Sequence, residues 1–377
     1  MTAKGKIPLV DLRAQYEVLK DRIAERVKKV LDEGQYILGP EVAELEKTLG
    51  QMTGVKHVIA VASGTDALQL ALMADGIGPG HAVFVPSLTF VATAEVVALM
   101  GATPVFVDVD EKTLNMDPEH LKEMVGKLDK EGKVEPKAVI PVDLFGRPAD
   151  YASINNMAWG RGLLVVADAA QSLGASIGRN AVGSLADVSA TSFYPSKTLG
   201  GYGDGGCVFT DDAGIARRIR SIHRHGYEVG GPEITRIGLN SRLDTMQAAI
   251  VLAKLEVFED ELIARRRIAE AYDQALGTYV DVPAPYEDGE LAWSVYAIRT
   301  DDRDRLQKEL GQQGIATAAY YSTPTHLQPA YLDYGEGEGS LPVTERAAKR
   351  LLALPMNPYL DETARGRVCA AIIAALD

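Results

Sequence analysis

Residues 14–32 repeat apolar and charged side chains at helical spacing, and the pattern stops near Gly34. Seven short apolar runs follow, at residues 57–62, 82–86, 105–109, 138–142, 163–167, 188–193 and 207–210. Most are rich in β-branched residues, and helical patterns separate many of them, at 65–74, 92–100, 118–127 and 150–161. Apolar strands alternating with helices predict a mostly parallel seven-stranded sheet covered on both faces, an α/β class. Ligands of such sheets gather at the C-terminal strand ends. Ser63-Gly64, Ser87 to Phe90, Asp143, Asp168 and Ser192 all fall at or just after those ends. They are therefore predicted to converge on one crevice.

After Asn240 the texture changes. Residues 244–258 read as a long amphipathic helix and 261–276 as a charged one. Strands are predicted at 293–299 and 315–321 around a helix at 302–313, and a last helix at 362–376. Residues 335–339, Gly-Glu-Gly-Glu-Gly, read as an exposed flexible loop. This predicts a large domain over 1–255 and a smaller α+β domain over 256–377.

Composition narrows the class. An apolar share of 46% and a charged share of 24% are those of a globular chain. The net charge of -13 argues against a nucleic-acid partner, so an anionic ligand needs a local cluster of positive charge. No apolar stretch approaches the ~20 residues of a membrane span. The basic start of the chain is followed by no apolar signal core. Cys207 and Cys369 have no metal-like spacing and read as core thiols of a reducing, cytoplasmic setting.

The chemistry centres on Lys197, in Ser192-Phe-Tyr-Pro-Ser-Lys197, ahead of the glycine-rich run from Gly200 to Gly206. Upstream, Asp168-Ala-Ala-Gln171 closes an apolar run. A loop lysine behind a strand-end acid suits pyridoxal phosphate. The amine forms a Schiff base with the aldehyde, and the carboxylate keeps the pyridine nitrogen protonated. Burying Asp168 is costly unless a cation or strong donors meet it; a helix N-cap is the bland alternative. Gln171 could reach the ring hydroxyl or complete a capping box with Asp168. Ser63-Gly64-Thr65 opens a helix, whose free N–H groups suit a phosphate or only a cap. Phe90 is a stacking face or a core residue. The run Arg217 to Arg224 is a diphosphate or carboxylate grip, or a solvated helix face.

With these residues placed, the chain resembles the pyridoxal-phosphate-dependent nucleotide-sugar aminotransferases of the DegT/DnrJ/EryC1 family. That family has the aspartate-aminotransferase type (fold type I) architecture. The resemblance rests on Pro8-Leu-Val-Asp-Leu12, Tyr36-Ile-Leu-Gly-Pro-Glu-Val42, the Ser63, Asp168 and Ser192 motifs, residues 238–244 and residues 354–360. It implies that Gly64, Thr65 and Ser192 hold the cofactor phosphate and that Phe90 stacks on the ring. It implies that Asp168 binds the ring nitrogen, Gln171 the ring hydroxyl, and that Lys197 carries the aldehyde. Asn240 would reach the phosphate of a neighbouring subunit, implying a homodimer with shared sites. Arg242, Tyr320 and Tyr321 would contact the sugar. Asn357 stands where many relatives carry His, and the segment from Tyr320 to His326 departs from their His-Tyr-Pro type. The implied reaction moves an amine, with L-glutamate as expected donor, to a keto-sugar nucleotide. The expected substrate is UDP-2-acetamido-2-deoxy-3-keto-D-glucuronate, aminated at C3 for surface polysaccharide such as O-antigen. The alternatives are a dTDP-3-keto-6-deoxyhexose and a non-catalytic member of the fold. Some relatives carry His for the lysine and act as dehydratases; Lys197 favours transamination.

Overall fold

The computed structural model describes residues 5–228 and 230–376. Helix α1 (Leu12–Glu33) is capped by the Asp11 side chain, which accepts the Ala14 N–H, and it ends at Gly34. A second helix, α2 (Pro40–Thr53), was not anticipated. It begins inside the Tyr36 to Val42 motif, where Pro40 supplies a helical φ at a position with no intrahelical N–H bond to lose. The chain then alternates as β1 (His57–Val61), α3 (Gly64–Ala74), β2 (His81–Pro86), α4 (Ala92–Leu99), β3 (Thr103–Val107), α5 (Pro118–Glu131), β4 (Glu135–Val139), α6 (Tyr151–Trp159) and β5 (Leu164–Asp168). Two short strands, β6 (Ser176–Ile177) and β7 (Asn180–Ala181), lead to β8 (Val188–Ser192), β9 (Gly206–Thr210) and α7 (Ala213–Ile222).

The seven expected strands form one sheet in the order β1-β9-β8-β5-β4-β2-β3. Strand β9 runs antiparallel to both its neighbours, and the remaining pairs are parallel. Side chains alternate across the sheet. Val83, Val85, Val166 and Val208 pack with Leu68 and Leu72 of α3 and Ile219 of α7. Phe84, Val107, Val139 and Val165 pack on the other face with Leu121 and Val125 of α5 and Ile154 of α6. Each fully buried Val, Leu or Ile contributes roughly 1.5–3 kcal/mol. Both faces are therefore covered, and only the strand ends are left for ligands.

The expected long helix at 244–258 stops earlier. It is α8 (Thr245–Leu255), and Phe258 already opens α9 (Phe258–Leu276). The C-terminal part adds β10 (Gly289–Glu290), β11 (Tyr296–Arg299), α10 (Arg303–Gln312), α11 (Pro342–Arg350), β12 (Leu351–Leu354) and α12 (Glu362–Leu376). The expected strand at 315–321 does not form. Ile315 makes an isolated bridge to Ile7 and Ala318 another to Ala353, so no two neighbouring residues share one ladder. The partner of β11 is β12, which sequence reading missed. Ile7 packs in the C-terminal cluster with Tyr296, Ile298, Leu310, Ile315, Leu352 and Ile372. Cys207 and Cys369 are buried free thiols. Among the described residues, no helix is long and apolar enough to cross a membrane.

Candidate active site

Strand register brings the site together. Gly206 of β9 pairs with Val61 on one side and with Ser192 on the other. The N-terminus of α3, which follows β1, is thereby set against the end of β8. A Cβ on Gly64 would lie 2.7 Å from the Ser192 Cβ, so no larger residue fits there without displacement. Ser63 caps α3, accepting the Asp66 N–H at 3.0 Å. The Gly64 and Thr65 N–H groups lie in the first turn, where helix geometry provides no intrahelical acceptor. Ser192 is half-buried, and its hydroxyl accepts the Tyr194 N–H at 3.2 Å. Two hydroxyl residues and a helix N-terminus thus form a small-residue cradle of the kind a phosphate occupies.

Asp168 ends β5 and is buried. It caps no helix, because residues 170–174 form turns. Its carboxylate accepts the Thr93 hydroxyl at 2.8 Å and the Ala170 N–H at 3.2 Å. Burial pushes its pKa above the ordinary carboxylate value, while Thr93, Lys197 and Ala170 oppose the rise. A pyridinium beside it would supply the charge that such a carboxylate lacks. Thr93, on α4, has no motif around it, and sequence reading missed it; Thr89 Oγ1 lies 2.9 Å from its hydroxyl.

Lys197 is half-buried in the loop after β8. The loop closes through the Lys197 N–H on the Tyr194 carbonyl and the Gly201 N–H on the Phe193 carbonyl. A Cβ on Gly200 would meet the Tyr194 and Pro195 carbonyl oxygens at 2.6 Å, which explains the glycine. The Thr198 hydroxyl donates to the Leu173 carbonyl and ties this loop to the turn after Asp168. Burial lowers the Lys197 pKa, and the charge of Asp168 opposes that fall. The amine is thus biased toward its free, nucleophilic form.

Phe90 is not a core residue: it is 54% exposed, and its ring centroid lies 6.4 Å from that of Tyr321. The buried Gln171 makes no capping box. Its Oε1 accepts the Phe145 N–H at 2.8 Å, and its Nε2 donates to the Tyr321 hydroxyl at 3.3 Å. The Tyr320 and Tyr321 rings are tilted at 47° with centroids 5.6 Å apart, and burial raises both phenols above their ordinary pKa. Asn240 is exposed, and its Oδ1 accepts Arg242 Nε at 3.0 Å, so Arg242 leans on Asn240 and not on Asp244. Ser241 sits at the end of β1, receiving the Ala62 N–H at 3.4 Å. Asn357 is buried and accepts the Tyr359 N–H at 3.1 Å.

The basic run belongs to α7 and the turn after it. Arg220 bonds Glu46 and the Val58 carbonyl, Arg218 bonds the Ala74 carbonyl, and Arg217 is exposed. These contacts hold α7 against α2, β1 and α3. Arg218 and Arg220 are thus occupied in packing, while Arg217 and Arg224 are exposed. The buried His223 bonds the Ile219 carbonyl.

A doubly covered sheet of this topology, with a lysine loop, a buried strand-end carboxylate and a phosphate cradle at its C-terminal ends, defines a pyridoxal-phosphate enzyme of fold type I. The residues present fit that cofactor: cradle, carboxylate and exposed aromatic face stand at one end of the sheet. The chain belongs to the DegT/DnrJ/EryC1/StrS aminotransferase family, whose sequence profile matches residues 17–373. It is 45% identical over 97% of its length, and 99% of the relative's, to the UDP-2-acetamido-2-deoxy-3-oxo-D-glucuronate aminotransferase of Pseudomonas aeruginosa. A DegT DnrJ EryC1 StrS aminotransferase from Brucella abortus superposes with a TM-score of 0.96 at 50% identity, covering 98% of this chain and 99% of that one. NtdA from Bacillus subtilis, solved with bound cofactor PMP, superposes with a TM-score of 0.88 at 28% identity, covering 100% and 86%. The protein is a pyridoxal-phosphate-dependent aminotransferase.

Proposed function

We propose that this enzyme aminates C3 of a 3-keto nucleotide sugar, and that UDP-2-acetamido-2-deoxy-3-keto-D-glucuronate is the substrate. The observation that carries the reading is the placement of the Lys197 loop, tied through Thr198 to the turn after the buried Asp168, beside the Gly64–Ser192 cradle at one end of the sheet. The Pseudomonas relative supports the choice of sugar. So does Arg242, whose guanidinium can grip a uronate carboxylate through two parallel hydrogen bonds.

Gly64, Thr65 and Ser192 would hold the cofactor phosphate, Asp168 the ring nitrogen and Gln171 the ring hydroxyl. Phe90 would cover one ring face. Pyridoxal phosphate supplies an aldehyde that takes up the amine and a ring that accepts the electrons released at the donor α-carbon. Lys197 would hold the aldehyde, and its freed Nζ would take the α-proton of L-glutamate as general base and return it as general acid. The sugar half runs the same steps in reverse, which requires ping-pong kinetics.

The proposal includes a homodimer in which Asn240 reaches the neighbouring site. Exposed apolar side chains support it: Ile234 at 62% and Ile237 at 86% precede Asn240, and Tyr36, Ile37 and Leu38 are also exposed. It also includes a cytoplasmic setting, supported by two unpaired buried thiols, and a role in surface polysaccharide such as O-antigen.

The test is glutamate-dependent amination over a panel of 3-keto and 4-keto nucleotide sugars, with wild type and Arg242→Ala. The uronate should be preferred. Loss of a charge-assisted contact should cost it roughly 1.5–3 kcal/mol and spare its neutral 6-deoxy counterpart. Equal losses on both, or a wild-type preference for a dTDP-3-keto-6-deoxyhexose, would reject the uronate.

A further inference from the structure

Ser87 follows β2 and has no exposed surface. Its hydroxyl lies 2.6 Å from Nδ1 of His326, itself fully buried. The backbone N–H of His326 donates to the same hydroxyl at 3.1 Å, and the Thr325 N–H donates to the Ser87 carbonyl at 3.0 Å. On the other side of the ring, Nε2 lies 3.3 Å from Oε1 of Glu345. Glu345 lies in the first turn of α11 and also accepts the Gly339 and Leu341 N–H groups.

One proton assignment satisfies every partner. A carboxylate can only accept, so Nε2 carries the hydrogen. Nδ1 is then the acceptor, and the Ser87 hydroxyl donates to it while accepting the His326 N–H. The ring is neutral, in agreement with a pKa lowered by burial. Serine, histidine and glutamate in a row suggest a hydrolytic triad, but this serine reaches no solvent.

Position gives the relay its meaning. Ser87 lies three residues before Phe90, and His326 five after Tyr321. Phe90 faces Tyr321, and Leu88 packs in one cluster with Tyr321 and Val343. We propose that His326 is a positioning residue for the sugar half-reaction: bridging Ser87 and Glu345, it sets the Tyr320-Tyr321 loop at a fixed distance from the cofactor face. This rests on the proposed sugar contacts of those tyrosines. The amino-donor half needs Lys197 and Asp168, whose hydrogen bonds do not involve His326, Ser87 or Glu345.

The test compares wild type with His326→Leu, His326→Asn and Ser87→Ala. Asparagine can keep an acceptor near the place of Nδ1; leucine cannot. Two readouts are taken: hydrogen exchange of the peptide spanning 318–328, and the two half-reactions measured separately. His326→Leu and Ser87→Ala should speed exchange in that peptide and leave the one spanning 206–216 unchanged. They should raise KM for the keto sugar about tenfold or more, with conversion by glutamate within about twofold of wild type. His326→Asn should recover most of the KM. Unchanged exchange at 318–328, equal losses in both half-reactions, or asparagine as damaging as leucine would each overturn the proposal. If exchange and the glutamate step behave as expected but wild type aminates no sugar of the panel, the substrate reading fails and the loop anchor stands.

Discussion

At the residue scale, Asp143 follows β4 as its place in the sequence predicts, but it has no exposed surface. It is fully buried behind Asp168, to whose backbone carbonyl its own N–H donates at 3.1 Å. Its carboxylate accepts the Ser172 hydroxyl at 2.6 Å, the Tyr151 hydroxyl at 2.8 Å and the Ala149 N–H at 2.9 Å. Burial pushes its pKa up to about 7 from 3.8, against the pull of those donors. The folded value lies above the unfolded one, so the native state keeps a proton that the unfolded chain releases. The resulting stability is fully present below about pH 4 and is lost as pH rises through about 7. Asp143→Asn removes this dependence. Thermal unfolding from pH 4 to 8 should show the variant gaining on wild type between pH 4 and 7, with a constant difference above. A constant difference throughout would mean that Asp143 titrates normally.

At the scale of elements, the phosphate cradle is a matter of spacing between α3 and β8. The Gly64 position and the Ser192 Cβ stand closer than two side-chain carbons can approach, and backbone pairing through β9 holds both. Gly64→Ala should therefore destabilise the cofactor-free protein by about 1–3 kcal/mol, the cost typical of overpacking. It should also weaken cofactor binding. Adding Ser192→Gly should return part of the lost stability, whereas adding Ser192→Ala should return none, since the clashing carbon remains. Denaturant midpoints of the single and double variants check this, and independent, additive effects would refute the contact.

At the scale of the whole molecule, the proposed dimer makes each site depend on two chains. Lys197→Ala and Asn240→Asp chains should each be inactive alone. Mixed, they should regain about a quarter of wild-type activity, because half of randomly paired dimers carry one intact site. Wild-type activity retained by a monomer in sedimentation would exclude shared sites, as would a mixture that never recovers.

Local pattern determined much of this protein. Apolar runs marked all seven strands of the large sheet, and the residues at their ends, Gly64, Phe90, Asp168 and Ser192, stand where that reading put them. Strand identity and strand-end position are legible because periodicity and burial act over a few residues. Pairing is not. The antiparallel insertion of β9 between β1 and β8, the union of β11 with β12, and the bridge from Ile7 to Ile315 join segments far apart in the chain. Nothing in Thr93, Asp143 or His326 taken alone announces a partner. Each is defined by a hydrogen bond to a residue that only folding brings near, Asp168, Ser172 and Ser87 respectively. The sequence placed Lys197 and Asp168 at the strand ends; tertiary structure decided which polar groups meet the buried carboxylate, because an unpaired polar group inside the protein costs more than the local pattern can reveal.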